Sequence, residues 1–511
     1  MHEETELKLR IPAGAVASLR RSSVLAALRQ RRGSRRHLLT VYYDTPSLSL
    51  AKKGVSLRVR HIGNRKVQGV KLADGSGESA VVRRPELESE IQGDRPEIQL
   101  IPDENLRRLV SEAAGAEPLA PAFVSEFGRT VWPVKLGDSE IEVALDQGEI
   151  RAGADRALPV SELELELKSG RPDKLIELAL ALGRSLPIAV ERQSKAERGF
   201  ALIAGLGAKP MRADPVELSA EASGREAFLK LARNCLAQLG GNEAAVRGAD
   251  AEGIHQMRVA ARRLRALLAC FSEHLSPKLV EEFAGELRWL MEALGPARDL
   301  DVFLAETLGP VAERMPEEAA LKPLQEAARQ AADQAHAEAR AAIATPRYTT
   351  FLLTADLRLG GDDWAVPGTI LDRPVTSLAN GMLRRRHRKL LKIGRGHHAL
   401  KIEELHEIRI AAKKMRYVAE FFRSLYSHKL ARRYLARLSR LQDRLGGLND
   451  AVTGRRLLSE LLPASGLDAA DAAHATGLVS GWHAARIHAD LADFTGEWED
   501  FRELRPFWAG R

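Results

Sequence analysis

Glu4, Glu6 and Lys8 alternate with Thr5, Leu7 and Leu9. In a strand, that period of two sets both carboxylates and the ammonium on one face. The same alternation recurs along the first two hundred residues. Arg58 and Arg60 share a face in VSLRVRH, Glu86, Glu88 and Glu90 in RPELESEI, Glu140, Glu142 and Asp146 in SEIEVALDQ, and Glu162, Glu164 and Glu166 in SELELELK. Either these rows coat the outside of a sheet whose other face is greasy, or some of them line a polar interior. Same-face carboxylates lie about 7 Å apart, which at an effective dielectric of about 20 costs on the order of 2 kcal/mol per like pair. Water and salt relieve that on an outer surface, whereas an enclosed space needs divalent cations or basic side chains. Acidic and basic rows around one cavity would let carboxylates hold Mg²⁺ or Mn²⁺ while Arg and Lys hold the phosphates that the metal bridges. The expected ligand is a metal-bound polyphosphate compound.

Eight candidate strands would carry these rows, near 3–11, 37–44, 54–61, 65–73, 79–91, 123–135, 138–147 and 160–169, with helical stretches near 13–30, 103–114 and 172–184. Short turns such as Gly63-Asn64 favour an antiparallel sheet closed into a barrel. From about 217 onward the period becomes that of helices, in long Ala-, Leu-, Arg- and Glu-rich segments. The expected architecture is α+β: an eight-stranded antiparallel tunnel with flanking helices over 1–203, a Gly- and Pro-containing linker at 204–217, and an all-α region over 218–505. The helical region repeats itself. HQMRVAARRLRALLACF at 255–271 aligns with HEIRIAAKKMRYVAEFF at 406–422, and LGPARDLDVF at 294–303 with LGGLNDAVTG at 445–454, both offset by 151 residues. Two independent matches at one offset predict a duplicated helical bundle, over about 220–370 and 371–505.

The 511 residues exceed one ordinary core, and 45% hydrophobic content suffices for several. No apolar run approaches eighteen residues and the acidic start does not read as a signal peptide, so the expectation is a soluble cytoplasmic protein with no membrane partner. Cys235 and Cys270 are too few for a disulfide framework and lack metal-ligand spacing. A net charge of +8 suits polyanionic partners. Residues 1–205 nonetheless carry 32 basic and 29 acidic groups, and residues 206–511 carry 45 and 40. Any anion site must therefore lie in local pattern.

Such a pattern stands on the repeated helix. His255, Arg258, Arg262 and Arg265 fall at spacings of three, four and three, one stripe of a helix. The second copy supplies His406, Arg409, Lys413 and Arg416, with Lys414 beside them, and RRRHRKLLKIGR at 384–395 adds seven basic residues without a carboxylate. Aromatic residues are 5% of the chain and few sit on the stripes. Stacking on bases is thereby disfavoured, and with it nucleic acid. A flexible phosphate chain asks only for charge and no base readout, so the stripes read as an anion-binding surface of that kind.

The ordered series EETELKLRIP, YYDTP (42–46), GVSLRVR (54–60), VKL with Lys71, RRPELE with Arg83 and Arg84, EFGRT with Arg129, IEVALDQGEI (141–150), SELELELKSG (161–170) and SKAERGF (194–200) resembles the CYTH domain of the triphosphate tunnel metalloenzymes, most of all its bacterial inorganic triphosphatase branch. The HxxRVxxRRLR and LGxxRDxDV elements resemble the CHAD domain, although Asn449 and Asp450 stand where the first copy has Arg298 and Asp299. The resemblance implies metal-dependent hydrolysis of inorganic triphosphate. Glu4 and Glu6, with Glu162, Glu164 or Glu166, would be metal ligands. Lys8, Arg58, Arg60, Lys71, Arg83, Arg129 and Lys195 would grip phosphate, and Glu90 and Asp146 would position the basic groups or a water. His255, Arg258, Arg262, Arg265, His406, Arg409, Lys413, Lys414 and Arg416 would contact polyphosphate. Thiamine triphosphate, nucleoside triphosphates or a purely non-catalytic, granule-targeting role are the alternatives. No Walker-type GxxxxGK[ST] occurs.

Overall fold

The computed structural model describes residues 2–72, 79–205, 207–396 and 402–509. Its contacts divide the chain into two units, Met1–Lys209 with Ile343–Gly361, and Pro210–Ala342 with Asp362–Arg511. Residues 343–361 fall within the stretch that the sequence assigns to the helical half, yet they pack with the sheet.

The first unit is built on β1 (His2–Arg10), β2 (Ser34–Asp44), β3 (Val55–Ile62), β4 (Arg65–Leu72), β5 (Val81–Ile91), β6 (Ala120–Leu136), β7 (Ser139–Ala152), β8 (Arg156–Ser169) and β9 (Ala189–Val190). Nine strands stand among the described residues where eight were expected. The ninth has two residues and pairs only with Leu9 and Arg10, too short to show a period. The order is β5-β4-β3-β2-β6-β7-β8-β1-β9, antiparallel throughout. β1 also pairs with β5 over residues 2–7 and with β8 over residues 5–10, so the ladder of eight long strands returns on itself. Gly63 takes a φ of 58°, as the two-residue hairpin between β3 and β4 asks of its first central residue.

Which face of each strand is greasy decides the architecture. Leu7, Leu9, Val143, Leu145, Leu163 and Leu165 are all wholly buried, on the outside of the ring, beneath helices that include Asp173–Gly183. Each such side chain contributes about 1.5–3 kcal/mol by leaving water. Leu57, Val59 and Val70 are covered in the same way by Glu104–Ala114, whose first turn is capped by Asp103 accepting from the Leu106 N–H at 2.9 Å. The apolar positions of the alternation are thus spent on helix packing. Their charged neighbours are left to face inward.

The second unit is helical. Its helices Ala251–Phe271 and Pro277–Ala293 have counterparts of equal length in Ile402–Phe422 and His428–Arg444, each 151 residues further on. Phe228 stacks on Trp364 at 4.8 Å between centroids, and Phe271 lies between Phe228 and Phe422. No helix among the described residues is long and apolar enough to cross a membrane. Cys235 and Cys270 are free, the first buried and the second partly so.

Candidate functional site

Inside the ring is a chamber of about 280 Å³ lined by Glu4, Glu6, Lys8, Arg58, Arg60, Lys71, Glu86, Arg129, Glu164 and Lys195. Tyr42, stacked on Phe123 at 4.3 Å, and Phe200 close one side of it. Six strands and one helix supply the charges. That helix, Lys195–Ala204, opens with a capping box: the Ser194 side chain accepts from the Glu197 N–H at 3.1 Å while Glu197 accepts from the Ser194 N–H at 2.7 Å. The cap sets Lys195 on the first turn, aimed inward. Gly199 admits the helix, because a Cβ there would stand 2.1 Å from the Phe123 ring.

Two charge networks fill the walls. In one, Lys71 Nζ reaches Glu4 and Glu86 at 2.7 Å each, and Arg58 bonds Glu86 and, at 3.2 Å, Glu88. Gly69 faces Arg58 across the ladder, where a Cβ would lie 3.0 Å from the guanidinium Nε. Burial pushes the Glu4 carboxyl from 4.5 to about 7; Lys71 opposes this, and Glu6 and Glu86 add to it. Burial acts on Glu86 too, but Arg58 and Lys71 outweigh it and hold that carboxyl below its ordinary range. Lys8 pairs with Glu6 at 2.7 Å. In the other network Lys195 sits amid Asp146 at 2.8 Å, Glu164 at 2.7 Å and Glu162, while Arg129 binds Asp146 through two 2.7 Å bonds and also Glu164. Arg198 closes on Glu162. Asp146, Glu162 and Glu164 could surround a metal ion as a group, with ligand atoms within 4.8 Å of one another. An ammonium already holds that position.

Arg60 is different. It lines the chamber with only a 3.4 Å bond to Thr40 Oγ1, and no carboxylate among the described residues pairs with it. Burial, then the charges of Arg58 and Arg129, pull its pKa down. A cation so placed, facing a cavity, has hydrogen-bond donors to offer an anion.

Several expected residues lie elsewhere. Arg83 is exposed and absent from the lining; its Cα partner is Thr5, whereas Arg84 pairs with Glu4. The side chain of Arg84 lies outside the described residues. Glu90 is exposed and bonded twice to Arg65 at 3.2 Å, and Glu166 is taken by Lys168. Asp44 of the YYDTP motif is buried and accepts from the N–H groups of Thr45, Leu50 and Ala51, which makes it a turn anchor. Sequence reasoning counted Glu86 in a row without giving it a role, and missed Arg198, whose signal was the SKAERGF capping pattern.

In the helical unit the basic stripe divides. Arg258 donates to the Met291 carbonyl at 2.9 Å, and Arg262 to the Tyr417 hydroxyl at 3.3 Å. Burial, then Arg262, pulls Arg258 from 12.5 down to about 10 despite Asp299, and burial with Arg298 lowers His255. Lys414, lowered by burial and by Arg386, Lys389 and Arg265, lines a pocket of about 200 Å³ with Arg386 and Lys389. Cations from three helices therefore crowd one place. Arg416 pairs with Glu420 at 2.8 Å, an acidic partner one turn beyond the stripe. His406 is exposed, Arg409 and Lys413 are partly buried, and the Asp450 side chain lies outside the described residues.

The family model of the CYTH domain matches residues 2–200, and that of the CHAD domain residues 230–459. An inorganic triphosphatase of Haemophilus influenzae is 36% identical over 166 residues, which are 32% of this chain and 44% of that protein. The match thus spans less than half of that relative's length. An uncharacterized protein of Mycobacterium tuberculosis is 27% identical over 454 residues, 82% of each chain. The solved CHAD domain of the plant Ricinus communis is 32% identical, covers 58% of this chain and 98% of its own, and superposes with a TM-score of 0.50. The chain belongs to the proteins in which a CYTH domain is followed by a CHAD domain.

Proposed function

We propose that the sheet unit hydrolyses inorganic triphosphate to pyrophosphate and phosphate with Mg²⁺ or Mn²⁺, and that the helical unit binds inorganic polyphosphate. One observation carries the first part: rows of both signs face one chamber, and Arg60 lines it with no carboxylate paired to it among the described residues. The donors fit a hard cation. Glu4, Glu6 and Glu86 offer only oxygen, and burial, with Glu6 and Glu86 adding to it, leaves Glu4 holding a proton near neutrality in the ion's place. A bound divalent ion would neutralise phosphate charge and acidify a water. Glu4 and Glu6 would hold it, joined by Glu86 or by Glu164, which lines the same chamber; each of the four pairs with a basic side chain that the ion would have to displace.

The chain's own groups do the rest by position. Arg60, Arg58, Lys8 and Lys71 grip the phosphate oxygens, and Arg129 and Lys195 are held rigid by Asp146 to meet the charge that develops as the bridging P–O bond breaks. Water adds to the terminal phosphorus and pyrophosphate departs. Phosphate release from tripolyphosphate, longer polyphosphate, ATP and thiamine triphosphate, each with Mg²⁺ or Mn²⁺, tests the reading. Glu4→Gln or Glu6→Gln should abolish release from a folded protein. Silence on all four substrates would leave a phosphate holder and no enzyme.

For the helical unit the carrying observation is the crowding of Arg265, Lys414, Arg386 and Lys389. The equal helix lengths at a shift of 151 residues support reading residues about 220–370 and 371–505 as two copies of one bundle. Localisation at polyphosphate granules in the cytoplasm would follow from the binding. Displacement of bound polyphosphate by duplex DNA at equal phosphate concentration would overturn the preference.

A further inference from the structure

One helix of the sheet unit arrives from far along the chain. Pro346–Gly360 packs against Asp173–Gly183. Its Leu353 is 1% exposed, in the same apolar cluster as Leu7, Leu165 and Ala80. Three residues on, and so on the same side of the helix, Asp356 accepts from the Ala80 N–H and, at 3.2 Å, from the Ser79 hydroxyl. The Ser79 hydroxyl oxygen in turn accepts from the Val81 N–H at 3.1 Å, and the Ser79 carbonyl accepts from Arg192 at 3.3 Å.

Two chamber elements begin at this clamp. Val81 opens β5, which carries Glu86 to Arg58 and Lys71. Arg192 stands three residues before Lys195. We propose that Asp356, carried in by the helix Pro346–Gly360, is a positioning residue that sets β5 and the approach to Lys195 against each other. An anchor of purely mechanical value would stabilise the unit without touching the chamber. A positioning anchor does both, because side chains in the chamber meet their partners at 2.7–2.8 Å and tolerate little drift.

The kinetic arm of the test rests on the proposed triphosphatase reading, and amide exchange does not. In the full chain, Asp356→Ala should raise KM for tripolyphosphate roughly tenfold and speed hydrogen exchange over residues 80–91. Asp356→Asn, which keeps an acceptor oxygen, should restore most of both. Leu353→Ala, which only opens a cavity, should lower Tm and leave KM close to wild type. An Asp356→Ala protein whose Tm falls while KM and exchange stay at wild-type values overturns the inference. Should wild type hydrolyse nothing, the functional reading falls by itself and Mg²⁺ affinity by calorimetry replaces KM. Unchanged affinity together with unchanged exchange would then refute the positioning role.

Discussion

With Glu4 as the proposed metal ligand, the chamber's cation affinity should depend on pH near neutrality. Its carboxyl is displaced from 4.5 to about 7, a penalty of roughly 3 kcal/mol on the charged form. A divalent ion binds the ionised group, so the proton competes. With a pKa of about 7, the ionised fraction is about 0.9 at pH 8 and about 0.1 at pH 6, and the apparent Mg²⁺ affinity should fall roughly tenfold between them. Glu86 is held below its ordinary range by Arg58 and Lys71, stays ionised throughout, and contributes no slope. Calorimetric titration of Mg²⁺ into substrate-free protein at pH 6, 7 and 8 reads the effect, and Glu4→Gln should bind weakly and evenly at all three. Stability follows the opposite course in metal-free protein. The folded state holds the Glu4 proton more tightly than the unfolded chain does, so this group's contribution is complete below about 4.5 and is lost as pH rises through about 7. An affinity that stays level from pH 6 to 8, or a slope that survives Glu4→Gln, refutes the reasoning.

Other outcomes follow from the same geometry. Arg60→Ala should raise KM for tripolyphosphate by the roughly 1.5–3 kcal/mol of a charged hydrogen bond without lowering Tm, since it also relieves repulsion from Arg58 and Arg129; kinetics and a thermal melt decide. Lys195→Met leaves Asp146 and Glu162, both wholly buried, without their shared ammonium, and should cost about 3–5 kcal/mol in a urea titration. In the helical unit, Lys414→Ala should lower the slope of log K for polyphosphate against log salt by roughly 1, and a slope equal to wild type would remove Lys414 from the binding surface.

The period of two made the charged rows legible, because a barrel wrapped in helices must turn its greasy positions outward. What alternation leaves open is position along the ladder. Parity already sets Arg84 with Glu86, and pairing with β1 puts it opposite Glu4; the expectation fell on Arg83, its neighbour of the same type. Glu90 keeps the parity of Glu86, but it lies four pairs further along the ladder, opposite Val67, where Arg65 reaches it. The helix at Pro346–Gly360 lies in the stretch whose period reads as helical from about 217 onward. Its apolar residues do not say which core they enter, so its place with the sheet came from tertiary contact alone. The stripe on Ala251–Phe271 was real as a spacing, whereas burial spent Arg258 on the Met291 carbonyl.

The pairing of β1 with both β5 and β8 also governs how the ring can assemble. Leu7 must find Leu165, 158 residues away in sequence, and Leu353 enters the same cluster later still. During synthesis the earlier strands therefore carry unsatisfied edges and uncovered leucines until distant segments leave the ribosome. Slow maturation and dependence on holding chaperones are the expected cost of so non-local a closure.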